Sequence, residues 1–560
     1  MPAPTVSPAP LRREAALDRL PVEVDVLVIG GGITGVGVAL DAATRGASVL
    51  LVDRGDLAQG TSSRSSKLVH GGARYLASGD LAMVAEGVRE RDRLRRMAPH
   101  LVLPLPFVLP ARSRADLAQL RVGMGLYDVL AAGRGVATHD VRSPAELRSD
   151  APGLRVGTEH GGVRYWDART DDSRLTLEVA RAAVLRGAVV APHVEVVELR
   201  RRGDRIAGAR LRDVIGGGEH EVAARWTVSA SGVWAGAVRD LDRSAHDLEV
   251  VPARGVHLTF PRHELPVRTA VVVPSAADDG RRLFVVPWGE QVYVGTTDDL
   301  HEGGLDEASL TAADADYLLA AVRAAFGTDL QLTDAVGAWA GLRPLLRGAR
   351  AGAPTADLSR RHATVAGPPG LLTITGGKLT TFRAMAADVV DRMARADGWR
   401  ARSTTTRLRL GSSGSVAAGR EKLAAAARRL GIDPQLAPGL HHRHGDRALD
   451  VLRTCVRDGE ADLLVEGLPY LRGEVRWAAR QELVGRLDDV LQRRLRVALR
   501  HREAGGSAAI AWSADVLGQE LGWDGPRRDA EVARYLDAVR AERGALALPT
   551  DPLPGTIATA

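Results

Sequence analysis

Residues 24–29 form a short apolar run rich in β-branched residues, and the run ends in Gly30-Gly31-Gly32-Ile33-Thr34-Gly35. No other junction constrains the fold of this chain as much. A buried run of that length closed by glycines reads as a strand of a parallel sheet. The pattern from Gly35 to Ala43 reads as a helix with a stop at Gly46, and residues 48–52 read as a second strand ending on Asp53. Strand, glycine turn, helix, strand and acid make one βαβ unit. Gly30 permits the tight turn, Gly32 lets backbone approach a pyrophosphate, and Gly35 lets helix and strand pack closely. The helix N-terminus then faces the phosphates with its free N–H groups and partial positive charge. Asp53 stands 18 residues past Gly35, where a carboxylate can accept hydrogen bonds from ribose hydroxyls. A lone glycine-rich turn would say little, but strand, helix and acid in agreement predict an ADP-containing dinucleotide.

The rest of the chain bounds what surrounds that unit. At 560 residues it exceeds what one core usually serves, so at least two domains are expected. Hydrophobic residues at 45% and charged ones at 26% are a globular balance. Lys plus Arg exceed Asp plus Glu by 75 to 69, but the basic residues are spread along the chain without interleaved aromatics, so nucleic acid is not expected as a partner. Cys455 is the single cysteine, which excludes an intrachain disulfide and a thiolate metal cluster and fits a reducing compartment. No His/Asp/Glu cluster has ligand spacing for a metal, and no Gly-x-Ser turn has a nucleophile-elbow context. Residues 1–21 read as a Pro/Ala-rich disordered tail without the apolar centre of a secretory signal. The most apolar stretch, residues 101–110, is interrupted by Pro104 and Pro106, and no run of about 18 apolar residues occurs.

FAD and NAD share the dinucleotide fingerprint, so later motifs must choose between them. Residues 54–60 lead into Thr61-Ser62-Ser63-Arg64-Ser65-Ser66-Lys67-Leu68-Val69-His70-Gly71-Gly72-Ala73-Arg74-Tyr75-Leu76. Alone, this is either a polar loop over a phosphate-bearing ligand or a solvated turn. It is followed in order by Ala230-Ser231-Gly232-Val233-Trp234, Val286-Pro287-Trp288, Val294-Gly295-Thr296-Thr297-Asp298, Ala340-Gly341-Leu342-Arg343-Pro344-Leu345 and Gly376-Gly377-Lys378-Leu379-Thr380-Thr381-Phe382-Arg383. From about residue 22 to residue 530 this ordered set resembles the FAD-dependent glycerol-3-phosphate dehydrogenases, within the amino-acid-oxidase-like flavoproteins. Ser231 and Val233 are mild departures from the second flavoprotein signature.

The resemblance implies an α/β protein: a Rossmann-like FAD-binding domain with an interleaved antiparallel-sheet substrate domain over residues 22–400, plus a helical C-terminal domain. It implies FAD as cofactor, held by the turn Gly30, Gly32, Ile33, Thr34 and Gly35, by Asp53 and Arg54, and by Thr61, Ser62, Ser63, Ser66, Lys67 and Leu68. Gly232, Gly376, Gly377, Lys378, Leu379 and Thr380 complete that set. It further implies oxidation of sn-glycerol 3-phosphate to dihydroxyacetone phosphate in glycerol and glycerophospholipid metabolism, with electrons passed to a quinone-type acceptor. Arg74 and Tyr75 match the family's substrate pair, and Arg343, Arg360 and Lys378 its cationic lining. His70 and His257 are the candidates for taking the alcohol proton, since neutral imidazole suits that role near pH 7. Asp171, Asp172 and Ser173 precede a helical run and read as its N-cap. An oxidase using oxygen shares every one of these motifs, and a catalytically silent FAD-binding sensor or scaffold is the reading from another class.

Past residue 400 the composition shifts. Residues 401–415 read as a polar linker, 416–545 as the helical domain and 546–560 as a tail. The clearest helical pattern is 477–499, with Leu483, Leu487, Val490, Leu491, Leu495 and Val497 on an apolar stripe between Arg-rich faces. A chain that serves a membrane quinone has to touch the bilayer, and residues 114–130, amphipathic and Arg-flanked, are the candidate for peripheral contact. A homo-oligomer is expected, located in the cytoplasm, with that contact on the cytoplasmic face of the membrane. The fingerprint itself is testable: Gly32→Val should yield folded protein lacking FAD, because a branched side chain takes the place where the pyrophosphate approaches the backbone. Normal flavin content in the purified variant would reduce the fingerprint to a turn.

Overall fold

A computed structural model describes residues 11–76, 79–131, 136–155, 157–242, 249–277, 279–346 and 361–547. The predicted βαβ unit is present as strand Glu23–Ile29, helix Ile33–Thr44 and strand Val49–Asp53. The first strand is apolar at successive positions because both of its faces are covered. Val26 and Val28 join the core beneath helices Ile33–Thr44 and Phe382–Asp397, while Leu27 and Ile29 pack on the other side against Val196, Ile206 and Leu211. The sheet order is His362–Ala366, Leu371–Gly376, Glu219–Ser229, Glu23–Ile29, Val49–Asp53, Val189–Pro192, with the hairpin Val194–Arg202/Arg205–Asp213 attached to Glu219–Ser229. Its four central strands and Val189–Pro192 run parallel.

Twice the chain leaves this sheet to build a second one. Leu68–Val69, Leu103–Pro110, Asp140–Arg142 and Gly162–Arg169 come from the first excursion; Val250–Pro261 through Asp299–Leu300, and then Gly337–Leu346, come from the second. The second, antiparallel sheet is therefore interleaved with the first, as expected. Its pairings are antiparallel except where Ala270–Pro274 runs parallel to Leu103–Pro110. The register sets His257 opposite Gly295 on one side and Trp339 on the other. Helix Arg114–Ala131 buries Met124, Tyr127 and Ala131 but leaves Val122 76% and Val129 72% exposed on its outer face. No helix among the described residues is long and apolar enough to cross a membrane.

Four boundary expectations need correction. The N-terminal tail does not extend to residue 21: Leu11 and Arg13 are buried, helix Arg13–Leu17 follows, and the Arg13 guanidinium meets the Pro192 carbonyl and the Asp213 carboxylate. Residues 401–415 are not a free linker, because Ser403 and Thr405 bond the buried Asp41 and Leu410 sits in the core of the parallel-sheet domain. Leu546 is not part of a free tail, since it packs into the core of the antiparallel-sheet domain; residues 548–560 lie outside the described residues.

The fourth correction concerns residues 477–499, which are not one helix. Helix Gly473–Gln481 ends, Leu483 turns at φ +56°, Asp489–Arg494 form a π-helical turn, and Arg496 at φ +58° precedes the short helix Val497–Arg500. The apolar stripe is buried as read. The arginines, however, do not form solvated faces: Arg493, Arg494 and Arg496 are buried among carboxylates of both domains, and this pull replaces the regular helix.

Glu178 of helix Asp172–Val184 pairs with Arg447 across the same domain boundary. Burial pushes the Glu178 carboxyl up, but the Arg447 guanidinium, then Arg181 and His100, outweigh it and hold the group down to about 2. A depressed carboxyl stabilises the fold fully above its unfolded pKa of about 4.3 and loses that contribution as pH falls towards the folded value. Melting temperature should therefore fall between pH 5 and about pH 2 to 3 in wild type, and Glu178→Gln should melt lower at pH 7 with a smaller slope over the acid range.

Candidate functional site

The strand ends Ile29, Val52, Ala230 and Thr375 open onto one cleft of about 320 Å³, where the strand order reverses direction in the sheet. The turn above them is held by backbone contact. Gly30 has φ +113°, and a Cβ there would lie 2.7 Å from the Ala230 carbonyl oxygen; a Cβ on Gly35 would lie 1.8 Å from the Gly30 oxygen. A Cβ on Gly32 would meet Ser62 Oγ alone, at 3.2 Å, so what Gly32 leaves open is the cleft. Ser62 Oγ accepts the Ile33 N–H at 2.9 Å, tying the loop after Asp53 to the helix N-terminus. Asp53 Oδ2 accepts from Gly31 N–H at 2.6 Å and Oδ1 from Gly55 N–H at 2.8 Å. Burial pushes the Asp53 carboxyl up against those two bonds.

Of the expected cofactor residues, Gly30, Gly32, Ile33, Thr34, Asp53, Arg54, Thr61, Ser62, Gly232, Gly376, Gly377, Lys378 and Leu379 line this cleft. Gly35 packs the helix on the turn behind it. Ser63, Ser66, Lys67, Leu68 and Thr380 are not in the lining. The Ser63 carbonyl accepts from Lys67 Nζ and Arg496 Nη1, Ser66 Oγ bonds His257 Nε2 at 2.9 Å, and Leu68 lies in the substrate-domain core. Burial lowers Lys67 to about 8, Asp172 opposing it, and its ammonium sits 4.5 Å over the Trp339 ring. Thr380 Oγ1 accepts the His70 N–H and donates to the His70 carbonyl, both at 3.2 Å.

Sequence reasoning missed several lining residues. Gln59 and Gly60 lie six and seven residues past Asp53, and Trp234 stands inside the Ala230–Trp234 motif. Its Nε1 is buried with no partner among the described residues, and Arg54 stacks on its ring at 5.1 Å while pairing with Asp306 at 2.5 Å. Val194, Val196, Leu241 and Asp306 reach the cleft from distant segments that carry no local signal.

The substrate candidates separate into two groups. Lys378 Nζ lies 4.0 Å over the Tyr75 ring, and Arg74 Nη2 donates to Tyr75 Oη at 2.8 Å, so the 70s loop packs against the 376–381 loop; of the three residues, Lys378 lines the cleft and Arg74 and Tyr75 do not. Arg343, in strand Gly337–Leu346, donates to Asp298 Oδ1 and Thr296 Oγ1, both at 3.0 Å, and to the Thr297 carbonyl at 3.2 Å. His257 is buried and stacked on Trp339 at 4.6 Å; burial, then the charges of Lys67 and Arg343, hold its pKa well below the ordinary value. Arg360 lies outside the described residues. Among the described residues, Asp56, His193 and Asp489 are close enough to share an ion, but Arg493 and Arg494 already pair with those carboxylates.

The cleft fits a flavin dinucleotide on its own chemistry: a pyrophosphate-width glycine turn at the N-terminus of a 12-residue helix, a carboxylate at the end of the next strand, and an unpartnered indole N–H in the wall. Comparison with known proteins agrees. The sequence model described as "FAD dependent oxidoreductase" matches residues 25–383, and that described as "C-terminal domain of alpha-glycerophosphate oxidase" matches residues 403–528. The chain is 38% identical to "Glycerol-3-phosphate dehydrogenase 2" of Mycobacterium tuberculosis over 98% of its own length and 94% of that protein's. It is 33% identical to the mitochondrial glycerol-3-phosphate dehydrogenase of Bos taurus over 91% of its length and 72% of the relative's. The crystal structure of the glycerol-3-phosphate dehydrogenase from Bacillus halodurans complexed with FAD superposes with a TM-score of 0.78 at 28% identity, covering 95% of this chain and 98% of that one. The chain belongs to the FAD-dependent glycerol-3-phosphate dehydrogenase family, and its cofactor is FAD.

Proposed function

We propose that the protein oxidises sn-glycerol 3-phosphate to dihydroxyacetone phosphate and passes the electrons to a quinone-type acceptor, in glycerol and glycerophospholipid metabolism. The observation that carries this reading is the cluster of Lys378, Tyr75 and Arg74: Lys378 lines the cofactor cleft, its ammonium lies over the Tyr75 ring, and Arg74 packs on the same ring.

Oxidising a secondary alcohol removes the hydroxyl proton and a hydride from the same carbon; bound FAD supplies the two-electron acceptor. The chain's residues then have three tasks. A phosphate dianion calls for charge-assisted donors, and Arg74 and Lys378 supply them, with the Tyr75 ring holding both cations in place. Three hydrogen bonds to residues 296–298 hold the Arg343 guanidinium in one orientation, and its proposed task is to donate to a substrate oxygen. His70 is the better candidate for the proton. It is partly exposed, and its backbone is fixed by Thr380 in the loop that carries Lys378, whereas the His257 ring is enclosed between Trp339 and Ser66. The exposed Val122, Leu126 and Val129 face of helix Arg114–Ala131, with Arg114 and Arg121 beside it, supports peripheral contact with a bilayer that holds the quinone.

Anaerobic addition of sn-glycerol 3-phosphate to the purified protein should bleach the visible flavin bands, while glycerol or D-lactate at the same concentration does so poorly. Equal bleaching by glycerol would refute the phosphate-anchored pocket, and peroxide formed in step with turnover in air would replace the quinone by oxygen. Arg343→Ala should cost about 2–4 kcal/mol of transition-state stabilisation, roughly thirtyfold to a thousandfold in kcat/KM, with Arg343→Lys impaired less and FAD retained in both. Measuring kcat/KM, flavin content and melting temperature together decides: a lowered melting temperature with near-wild-type kcat/KM would leave Arg343 only the role of holding residues 296–298.

A further inference from the structure

The segment 54–62 supplies Arg54, Gly55, Gln59, Gly60, Thr61 and Ser62 to the wall of the FAD cleft. The same segment is gripped by the C-terminal domain. Asp56 is fully buried, and its carboxylate accepts from Arg493 Nε at 2.5 Å, Arg494 Nη1 at 2.6 Å and Arg494 Nη2 at 2.8 Å. Arg496 Nη1 donates to the Ser63 carbonyl at 3.2 Å. Its guanidinium also pairs with Asp171 and with Asp172, and Asp172 in turn accepts from Ser65 and Lys67. None of the three arginines lines the cleft.

The path from these ion pairs to the cleft is short. Asp56 N–H donates to Gln59 Oε1 at 2.9 Å, Gln59 N–H donates back to the Asp56 carbonyl at 3.1 Å, and Ala58 N–H donates to the carbonyl of Gly31 in the phosphate turn at 3.0 Å. Ala58 holds φ +64°, a conformation an alanine keeps only where its surroundings enforce it. A carboxylate buried with two guanidiniums is either fully paired or costly, so withdrawing the arginines from Asp56 would disfavour the loop conformation that lines the cleft. The charges around it balance closely: Arg174 and Arg494 face Glu482, Arg493 and Arg534 face Asp488, and Asp489 takes Arg493 and His193.

We infer that Arg493, Arg494 and Arg496 are positioning residues for FAD, and that docking of residues 482–497 on the segment 54–63 is energetically coupled to cofactor binding. The inference rests on the cleft being the FAD site and is independent of the substrate. Whatever favours the ordered loop favours both events, and the coupling is reciprocal. Arg494→Lys keeps the charge but loses the two-pronged contact to Asp56.

The test compares full-length holoenzyme with the same chain stripped of flavin by amide hydrogen exchange, and times FAD release from wild type, Arg494→Lys and the exposed control Arg453→Ala. Stripping should speed exchange in residues 54–63 and 482–497 together while leaving 416–457 unchanged. Arg494→Lys should release FAD about tenfold faster, with turnover per bound flavin unchanged and Arg453→Ala like wild type. Exchange in 482–497 that ignores flavin, or wild-type release from Arg494→Lys, overturns the coupling, as does a loss of protection spread through 416–457. Should Arg494→Lys fail to fold, the exchange comparison on the wild-type chain decides alone.

Discussion

The carbonyl oxygen of Gly30 stands where a Cβ on Gly35 would be, and the Ala230 carbonyl stands close to where one on Gly30 would be. Strand Glu23–Ile29, helix Ile33–Thr44 and strand Glu219–Ser229 thus meet backbone to backbone, with no side chain between them. Much of the remaining architecture follows from that contact. The helix N-terminus is brought to the strand ends, so its unpaired N–H groups face the cleft instead of solvent. Neighbouring strands are drawn in parallel, which buries both faces of the central strand and explains its uninterrupted apolar run. The loop after Asp53 is in turn fixed to the turn by Ser62 and Asp53.

Charge in the interior organises the second half of the molecule. Arg174, Arg383, Arg443, Arg493, Arg494 and Arg496 are buried, and each meets a carboxylate: Glu482, Glu90, Glu474, Asp56 or the Asp171–Asp172 pair. Arginine suits this because its planar, weakly hydrated fork can satisfy a carboxylate with two bonds. Such pairs add little stability over a well-packed apolar contact, but removing one partner leaves a buried charge and is strongly destabilising. The boundary between the FAD-binding and helical domains is for that reason specific in register, and it lies directly behind the cofactor loop.

The loops proposed to hold the substrate are built differently. Tyr75, Arg74 and Lys378 come from two loops some 300 residues apart, and they meet because Thr380 bonds the backbone of His70 on both its N–H and its carbonyl. His257, Ser66, Lys67 and Trp339 form a packed layer that supports these loops without lining the cleft. The cationic residues near the site therefore divide between those that face the cleft and those that hold its wall.

That division shows what could be read in the residues themselves. The βαβ unit, the glycine turn, Asp53 and the loops at 61–62 and 376–379 were legible because their spacing is local: a turn, a helix start and a strand end each need particular residue types within a few positions. The Asp171 N-cap was legible for the same reason, and its side chain accepts the Arg174 N–H. Residues 477–499 were legible in burial but not in shape, since an apolar stripe at helical spacing reports which side chains go inside and is silent about the two left-handed residues that break the helix. The same stretch hid its charges, because an arginine bound to a buried carboxylate and one in water look alike until the partner's position is known. The roles of Lys67 and His257, the lining by Val194, Leu241 and Asp306, and the grip on Asp56 were decided by tertiary structure alone. Each depends on a contact between residues far apart in the chain, and such contacts are set by how the two sheets and the helical domain pack, which no local spacing encodes.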